Sequence, residues 1–181
     1  MIALDTHEDL EHTGLATGPA ATTESSPVDT LIIGLGNPIL GDDGVGWQVA
    51  EEVRARVPGN ERVEVDCLAV GGLRLMERML GYRHVILIDA IQSGENPEGT
   101  VSTFRLDELR RPGMGHTASA HDASLITALQ TAHAMGGAIP HRVDIVAIEA
   151  RACHDFSEQL SPRIAAATAM ATLRVFELLQ R

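Results

Sequence analysis

Residues 31–46 read LIIGLGNPILGDDGVG, and this stretch predicts the start of an alternating strand–helix fold. Its first five residues, 31–35, form an apolar run of the length of a strand buried on both faces. Glycines then interrupt the run, and two adjacent carboxylates, Asp42 and Asp43, follow it. A glycine-rich turn after a strand is typical of phosphate binding, but two carboxylates would repel a phosphate. The stretch therefore indicates a cation site, most simply a metal ion.

The same stretch fails both common nucleotide-binding fingerprints. Gly34 and Gly36 occupy the first two positions of GxGxxG, but Ile39 stands where the third glycine belongs. The spacing from Gly36 to Gly41 is that of a P-loop, yet aspartates replace the lysine and the Ser/Thr that should follow. We therefore do not expect phosphate binding at this turn.

The rest of the chain continues the alternation of strands and helices. Further strands are predicted over residues 62–70, 84–90, 100–106 and 142–150, and helices over 44–57, 72–80, 121–134 and from 161 to the end. The order β-α-β-α-β-β-α-β-α predicts an α/β fold of three layers, α/β/α. Its central sheet is expected to be mostly parallel, with residues 100–106 as one antiparallel edge strand. Residues 1–28 lack an apolar period and are predicted to be a disordered N-terminal extension before a single domain, 29–181.

Composition excludes several classes of function. The net charge of −11 argues against nucleic acid and against an anionic membrane surface as partners. All 14 basic residues are arginine, so a Schiff-base or P-loop lysine is excluded. The two cysteines, Cys67 and Cys153, form no CxxC pair and are expected to be free thiols. Because neither a signal peptide nor a membrane-length apolar run is visible, we expect a cytoplasmic protein.

A second carboxylate and an imidazole are predicted to join Asp43. Asp89 follows four apolar residues at the end of what should be a central strand, where an unpaired charge would be costly. His121 opens a later helix, in the segment GHTASAHD of residues 115–122. Ligands of such sheets bind beyond the carboxyl ends of the strands, so the three side chains should converge there. Two carboxylates and one imidazole would make an open site for a divalent metal.

Simpler interpretations of these residues stay open. Asp42 and Asp43 could both be turn residues, with one of them capping the helix that follows. Asp89 could be the partner of an arginine or of a loop amide. His116 is an alternative ligand to His121, and Asp122 could orient His121 through a hydrogen bond.

Nucleophilic catalysis has weaker support in the sequence. No GxSxG motif for a serine hydrolase occurs. Ser119, His121 and Asp122 are close in sequence, but proximity along the chain does not establish a triad. Adjacent residues such as Cys153 and His154 rarely point at one another, so a thiol nucleophile is not expected there.

Five motifs in this order resemble those of the NiFe-hydrogenase maturation endopeptidases. They are GLGNPILGDDGVG at 34–46, Gly71–Gly72, LIDAI at 87–91, SAHDASL at 119–125, and EQLSP at 158–162. The resemblance covers residues 30 to about 180. The 28-residue N-terminal extension departs from it.

The resemblance implies an activity, a partner and a role for nickel. Members of the family are endopeptidases that remove a C-terminal peptide from the precursor of a NiFe-hydrogenase large subunit after nickel insertion. Carried over by motif, the residues that contact nickel and serve catalysis are Asp43, Asp89 and His121. The nickel is supplied by the substrate, and other divalent metals can substitute in the isolated protein. We expect a monomer; the alternatives are a non-cleaving chaperone that checks nickel insertion, or another metal-dependent hydrolase.

Overall fold

The computed structural model describes residues 29–108, 120–151 and 156–181, with the backbone alone for 120–123. This part of the chain contains five strands, namely β1 (Thr30–Leu35), β2 (Val63–Leu68), β3 (His84–Ile91), β4 (Val101–Arg105) and β5 (Arg142–Glu149). Its four α-helices are α1 (Val45–Arg56), α2 (Gly72–Met79), α3 (Ala120–Ala134) and α4 (Pro162–Leu179). The predicted elements are all present, with boundaries within two residues for most of them.

The strands form one mixed sheet in the order β2-β1-β3-β5-β4. All neighbouring pairs are parallel except β4 with β5, which is antiparallel and lies at the edge. The predicted α/β fold, with a mostly parallel sheet and one antiparallel edge strand, is confirmed. The predicted N-terminal extension, residues 1–28, lies outside the described residues.

Alternating residues of each strand enter two separate apolar layers, because successive side chains of a strand point to opposite faces. Leu31 and Ile33 of β1 pack with residues of α2 and α3. Ile32, between them, packs with residues of α1 and α4 on the other face. Aliphatic side chains and methionines fill these layers in a chain with only 3% aromatic residues. This arrangement confirms helices on both faces of the sheet.

Glycines bring α1 unusually close to the sheet. A Cβ atom on Gly46 would overlap the carbonyl oxygens of Leu35 and Ile88, and one on Gly34 would overlap the carbonyl oxygen of Gly46. The backbone of α1 therefore rests directly on the backbones of β1 and β3. Two glycines of the opening motif serve this packing, a role distinct from the turn that the motif also forms.

The strand order reverses between β1 and β3. From β1 the chain passes to β2 on one side, then crosses back to β3 on the other side. In parallel sheets a crevice opens at such a point, beyond the carboxyl ends of the strands. We call this end of the sheet the carboxyl edge, and the end where the parallel strands begin the amino edge. No helix in the described ranges is long and apolar enough to cross a membrane.

The contact between α1 and the sheet can be tested with Gly46→Ala. Helix propensity alone would favour alanine by up to about 1 kcal/mol. The overlap with two backbone oxygens should instead lower the free energy of unfolding, by about 3 kcal/mol. Gln48→Ala, at an exposed position of the same helix, should change it by less than about 0.5 kcal/mol. Urea denaturation measures both variants, and a stabilised Gly46→Ala protein would contradict the close packing.

Candidate active site at the carboxyl edge

A short 3-10 helix, Gly41–Gly44, carries the two aspartates between β1 and α1, and we call it the acidic turn. It packs against β3 as well as against α1. Gly36, just before it, has a positive φ of 118°, and a Cβ atom there would overlap the carbonyl oxygen of Asp43. Only glycine lets the chain fold back this tightly. The acidic turn is thus held against the end of β1, at the crevice where the strand order reverses.

Asp43 is half-buried, and only one of its two carboxylate oxygens is bound to the surrounding loop. Its Oδ2 accepts a hydrogen bond from the backbone N–H of Asn37 at 2.6 Å. Its Oδ1 makes no hydrogen bond within the described part of the chain. The loop therefore fixes the orientation of this carboxylate while one oxygen stays available to a ligand.

Asp42 is more deeply buried than Asp43, and its carboxylate contacts a different part of the chain. It is 7% exposed, and its Oδ1 accepts a hydrogen bond from the backbone N–H of Ser161 at 2.6 Å. Ser161 is the N-cap residue of α4, so Asp42 joins the acidic turn to the start of a helix 119 residues further along the chain. A carboxylate at a helix N-terminus is also favoured by the helix dipole.

The alternative in which one of the aspartates caps the following helix is contradicted by the structure. The N-cap residue of α1 is Gly44, and no side chain makes a capping hydrogen bond there. The carboxylate of Asp42 instead reaches the start of α4, a contact between segments distant in the chain that sequence spacing could not reveal. Ser161 does occupy the predicted N-cap position of α4, but its hydroxyl makes no cap bond and is buried without a partner among the described residues.

Asp89 lies near the carboxyl end of β3, at the centre of the sheet. Its side chain is buried, with 4% of the residue exposed, and it interacts with another group of the protein. Leu87 and Ile91, two positions away on either side, belong to the apolar layer under α2 and α3. The side chain of Asp89 therefore points to that face, next to the crevice and on the strand that the acidic turn contacts.

His121 is the second residue of α3, and the course of this helix places its backbone at the carboxyl edge. Ser124, one turn later, lies beside Gly72, which begins α2 directly after β2. Ala138, beyond the other end of α3, accepts a hydrogen bond from Gly81 after the end of α2. Helix α3 thus runs from the carboxyl edge towards the amino edge, on the face to which Asp89 points. The side chain of His121 lies outside the described residues.

Sequence reasoning missed a further buried carboxylate at this edge, Glu149. It ends β5 after an apolar run, VAIE, much as Asp89 follows VILI in β3. Glu149 is 4% exposed, and its two oxygens accept hydrogen bonds from Ser93 Oγ at 2.5 Å and Gly94 N–H at 2.9 Å. Both oxygens are occupied by the loop after β3, so Glu149 shapes the edge and is poorly placed to bind a ligand.

Other sequence candidates contribute little within the described residues. Among the described side chains, no group of three His, Cys, Asp or Glu is arranged to hold a metal ion, and that set excludes His121. Cys67 is a free thiol whose pKa is raised to about 11, first by burial and then by the charge of Glu51, so it is a poor nucleophile near neutral pH. The candidates His116, Ser119, Cys153 and His154 lie outside the described residues, as does the side chain of Asp122.

Two large apolar side chains are exposed beside the acidic turn. Ile39 is 47% exposed and Phe156 is 82% exposed. Their loops are joined by backbone hydrogen bonds, from Ser157 N–H to the Ile39 carbonyl at 3.0 Å and from Gly41 N–H to the Ser157 carbonyl at 2.6 Å. These bonds place both exposed apolar residues in the two segments that flank the acidic turn.

Comparison with known proteins points to one family. The model of the family described as "Hydrogenase maturation protease" matches residues 47–177, more than half of the chain. The hydrogenase 2 maturation protease of Escherichia coli is 32% identical over 79 residues, which are 44% of this chain and 48% of that protein. A putative hydrogenase maturation protease of Methanocaldococcus jannaschii is 28% identical over 154 residues, 83% of this chain and 94% of that one.

Solved structures share the fold. The hydrogenase maturating endopeptidase HybD of E. coli superposes with a TM-score of 0.65 at 24% identity, covering 84% of this chain and 92% of that one. The NiFe hydrogenase maturation protease HybD of Thermococcus kodakarensis gives a TM-score of 0.62 at 24% identity, covering 83% of this chain and 98% of that one.

The structural role of Asp42 can be tested by comparing two substitutions. Asp42→Ala leaves the Ser161 N–H without its acceptor and should lower the free energy of unfolding by about 2 kcal/mol. Asp42→Asn keeps an acceptor oxygen and should cost clearly less. Asp107→Ala, which removes an exposed carboxylate far from this edge, should change stability by less than about 0.5 kcal/mol. Urea denaturation with wild-type stability for Asp42→Ala would refute the role of this contact.

Proposed function

Because the chain belongs to the hydrogenase maturation protease family, we propose that it is an endopeptidase that removes a C-terminal peptide from the precursor of a NiFe-hydrogenase large subunit after nickel insertion. In this proposal nickel is part of the substrate, and the protein cleaves the precursor only when the precursor contains nickel. The proposed recognition of nickel rests on a pair of carboxylates at the carboxyl edge, Asp43 after β1 and Asp89 in the neighbouring β3.

The ligand chemistry supports recognition of a borderline divalent metal. Asp43 has one carboxylate oxygen without a hydrogen bond in the described chain, and Asp89 is a buried carboxylate on the strand that the acidic turn contacts. His121 would add an imidazole nitrogen from the start of α3. Oxygen and imidazole ligands together suit nickel already held by another protein, because the set is too small to enclose the ion completely.

Bound in this way, the metal would fix the position of the precursor so that one peptide bond lies beside the carboxylates. Hydrolysis adds water across that bond, with the hydroxyl going to the carbonyl carbon and the proton to the leaving amine. Asp43 or Asp89 would accept the proton of the attacking water. The exposed apolar side chains of Ile39 and Phe156, in the segments that flank the acidic turn, support a protein substrate, since they offer contact area outside the reacting centre.

The nickel requirement can be measured with two forms of the precursor. The protein is incubated with a nickel-loaded and with a nickel-free large-subunit precursor, and mass spectrometry follows the C-terminus of each. We expect peptide release from the nickel-loaded form alone. Equal cleavage of both forms would refute the recognition of nickel but would still identify the protein as a peptidase. Binding of the loaded precursor without any peptide release would identify a nickel-checking chaperone instead.

The site residues can be tested one at a time in the same assay. Asp43→Asn, Asp89→Asn and His121→Ala should each lower kcat/KM for the nickel-loaded precursor by at least about 100-fold, because each removes a metal ligand or the base. Matched controls are Asp107→Asn, an exposed carboxylate, and His133→Ala, in the last turn of α3. Both controls should process the precursor at the wild-type rate. A variant with wild-type kinetics would remove its residue from the site.

A further inference from the structure

A second candidate site lies at the amino edge of the sheet, opposite the acidic turn. A cavity of about 410 Å³ opens there, between the first residues of β1, β3 and β5 and the end of α4. We call it the amino-edge pocket. A cavity of this size falls in the range of small-ligand sites. It shares no lining residue with the carboxyl edge, so its role is independent of the proposed peptidase activity.

The charge of this pocket is opposite to that of the protein. Four arginines line it, namely Arg62, Arg83, Arg142 and Arg181, and His84 and His141 stand beside them. Among the described residues that line the pocket, Asp29 contributes the one carboxylate side chain. The whole chain carries 25 acidic residues against 14 arginines, so four arginines in a single pocket are a marked local excess. A concave site with this excess concentrates anions.

Part of the positive charge is already neutralised. Arg62 forms an ion pair with Asp29, whose pKa is lowered first by the hydrogen bond from Arg62 and also by the charge of Arg83. Arg142 donates from Nε to Asp144 Oδ2 at 2.5 Å. Burial tends to raise the pKa of Asp144, but its hydrogen bonds with His84 and Arg142 lower it overall, so this carboxylate stays ionised beneath the pocket.

Two of the arginines remain available. Within the described chain, Arg83 and Arg181 form no ion pair, and both are exposed. Exposed arginines are ordinary on a protein surface, where they are simply solvated. Here, however, both arginines line the same cavity as two further arginines. Their grouping in one cavity is better explained by a shared role in binding than by separate solvation.

The backbone around the pocket is fixed before any ligand arrives. The carbonyl of Asp29 accepts hydrogen bonds from the N–H groups of Arg83 and His84, each at 3.1 Å. The carbonyl of Arg83 accepts from the N–H groups of His141 and Arg142, at 2.9 and 3.2 Å. These bonds join the segments that enter β1, β3 and β5, so this part of the pocket backbone adds little to the entropy cost of binding.

We propose that the amino-edge pocket binds a small phosphorylated anion. A phosphoryl group concentrates two negative charges and three oxygens on one centre, which suits arginines that approach from several segments. A guanidinium also matches a phosphate with two parallel hydrogen bonds. The volume of about 410 Å³ is more than ten times that of a water molecule, about 30 Å³, so the pocket has room for a group larger than inorganic phosphate.

Isothermal titration calorimetry of the full chain with pyrophosphate tests the proposal, with citrate as a polycarboxylate of comparable charge. We expect saturable one-to-one binding of pyrophosphate, with a dissociation constant below about 1 mM at low ionic strength. Arg83→Gln and Arg181→Gln should each weaken it about tenfold, the loss of one charge-assisted hydrogen bond. Arg174→Gln is the matched control, because it removes the same charge from α4 outside the pocket, and it should leave the affinity unchanged.

Since neither Arg83 nor Arg181 holds a residue of the described ranges in an ion pair, both variants should fold, which circular dichroism verifies. Absence of saturable pyrophosphate binding would overturn the proposal. So would equal weakening by the Arg174 control, since that result would reveal a non-specific effect of charge. Tighter binding of citrate than of pyrophosphate would overturn the assignment to a phosphorylated ligand.

Discussion

The direct contact of α1 with the backbones of β1 and β3 is the constraint on which the candidate site depends. Where Gly46 crosses Gly34, no side chain lies between helix and sheet, so α1 sits closer there than a helix with ordinary residues could. The loop from β1 to α1 is therefore confined to a narrow space at the carboxyl edge. Its glycines allow the tight return at Gly36, and the acidic turn is left in contact with β3. A wider separation of helix and sheet would carry Asp43 away from the strand that bears Asp89.

The two adjacent aspartates differ in what their carboxylates contact. Asp42 is buried and bound to the N-cap residue of α4, which ties the turn to the last helix of the fold. Asp43 is oriented by a single backbone N–H and keeps its other oxygen free of hydrogen bonds in the described chain. This difference follows from geometry, because neighbouring side chains on a 3-10 helix point in different directions. A carboxylate fixed by its neighbours can present an oxygen to a metal with little loss of entropy.

Charge is segregated between the two edges of the sheet. Three of the four buried carboxylates in the described chain, Asp42, Asp89 and Glu149, lie at the carboxyl edge. The fourth, Asp144, lies near the amino edge, where it forms an ion pair with Arg142 and a hydrogen bond with His84. The arginines of the amino-edge pocket surround it. The described chain thus gathers buried carboxylates at one edge and arginines at the other, although the net charge of the protein is −11.

The sequence by itself determined the order of elements, the two-sided burial of the parallel strands and the antiparallel edge strand, because these depend on apolar periodicity and on glycine and proline between segments. It also placed the Asp42–Asp43 pair after the first strand and Asp89 near the end of a later one, since a carboxylate that interrupts an apolar run is visible locally. It could not separate Asp42 from Asp43, because the Asp42 partner is 119 residues away. Nor could it distinguish Asp89 from Glu149, which follow similar apolar runs but differ in the loop atoms around them. The pocket of arginines from four distant positions was likewise decided by tertiary structure alone, because contacts between remote segments leave no periodic pattern in a single chain.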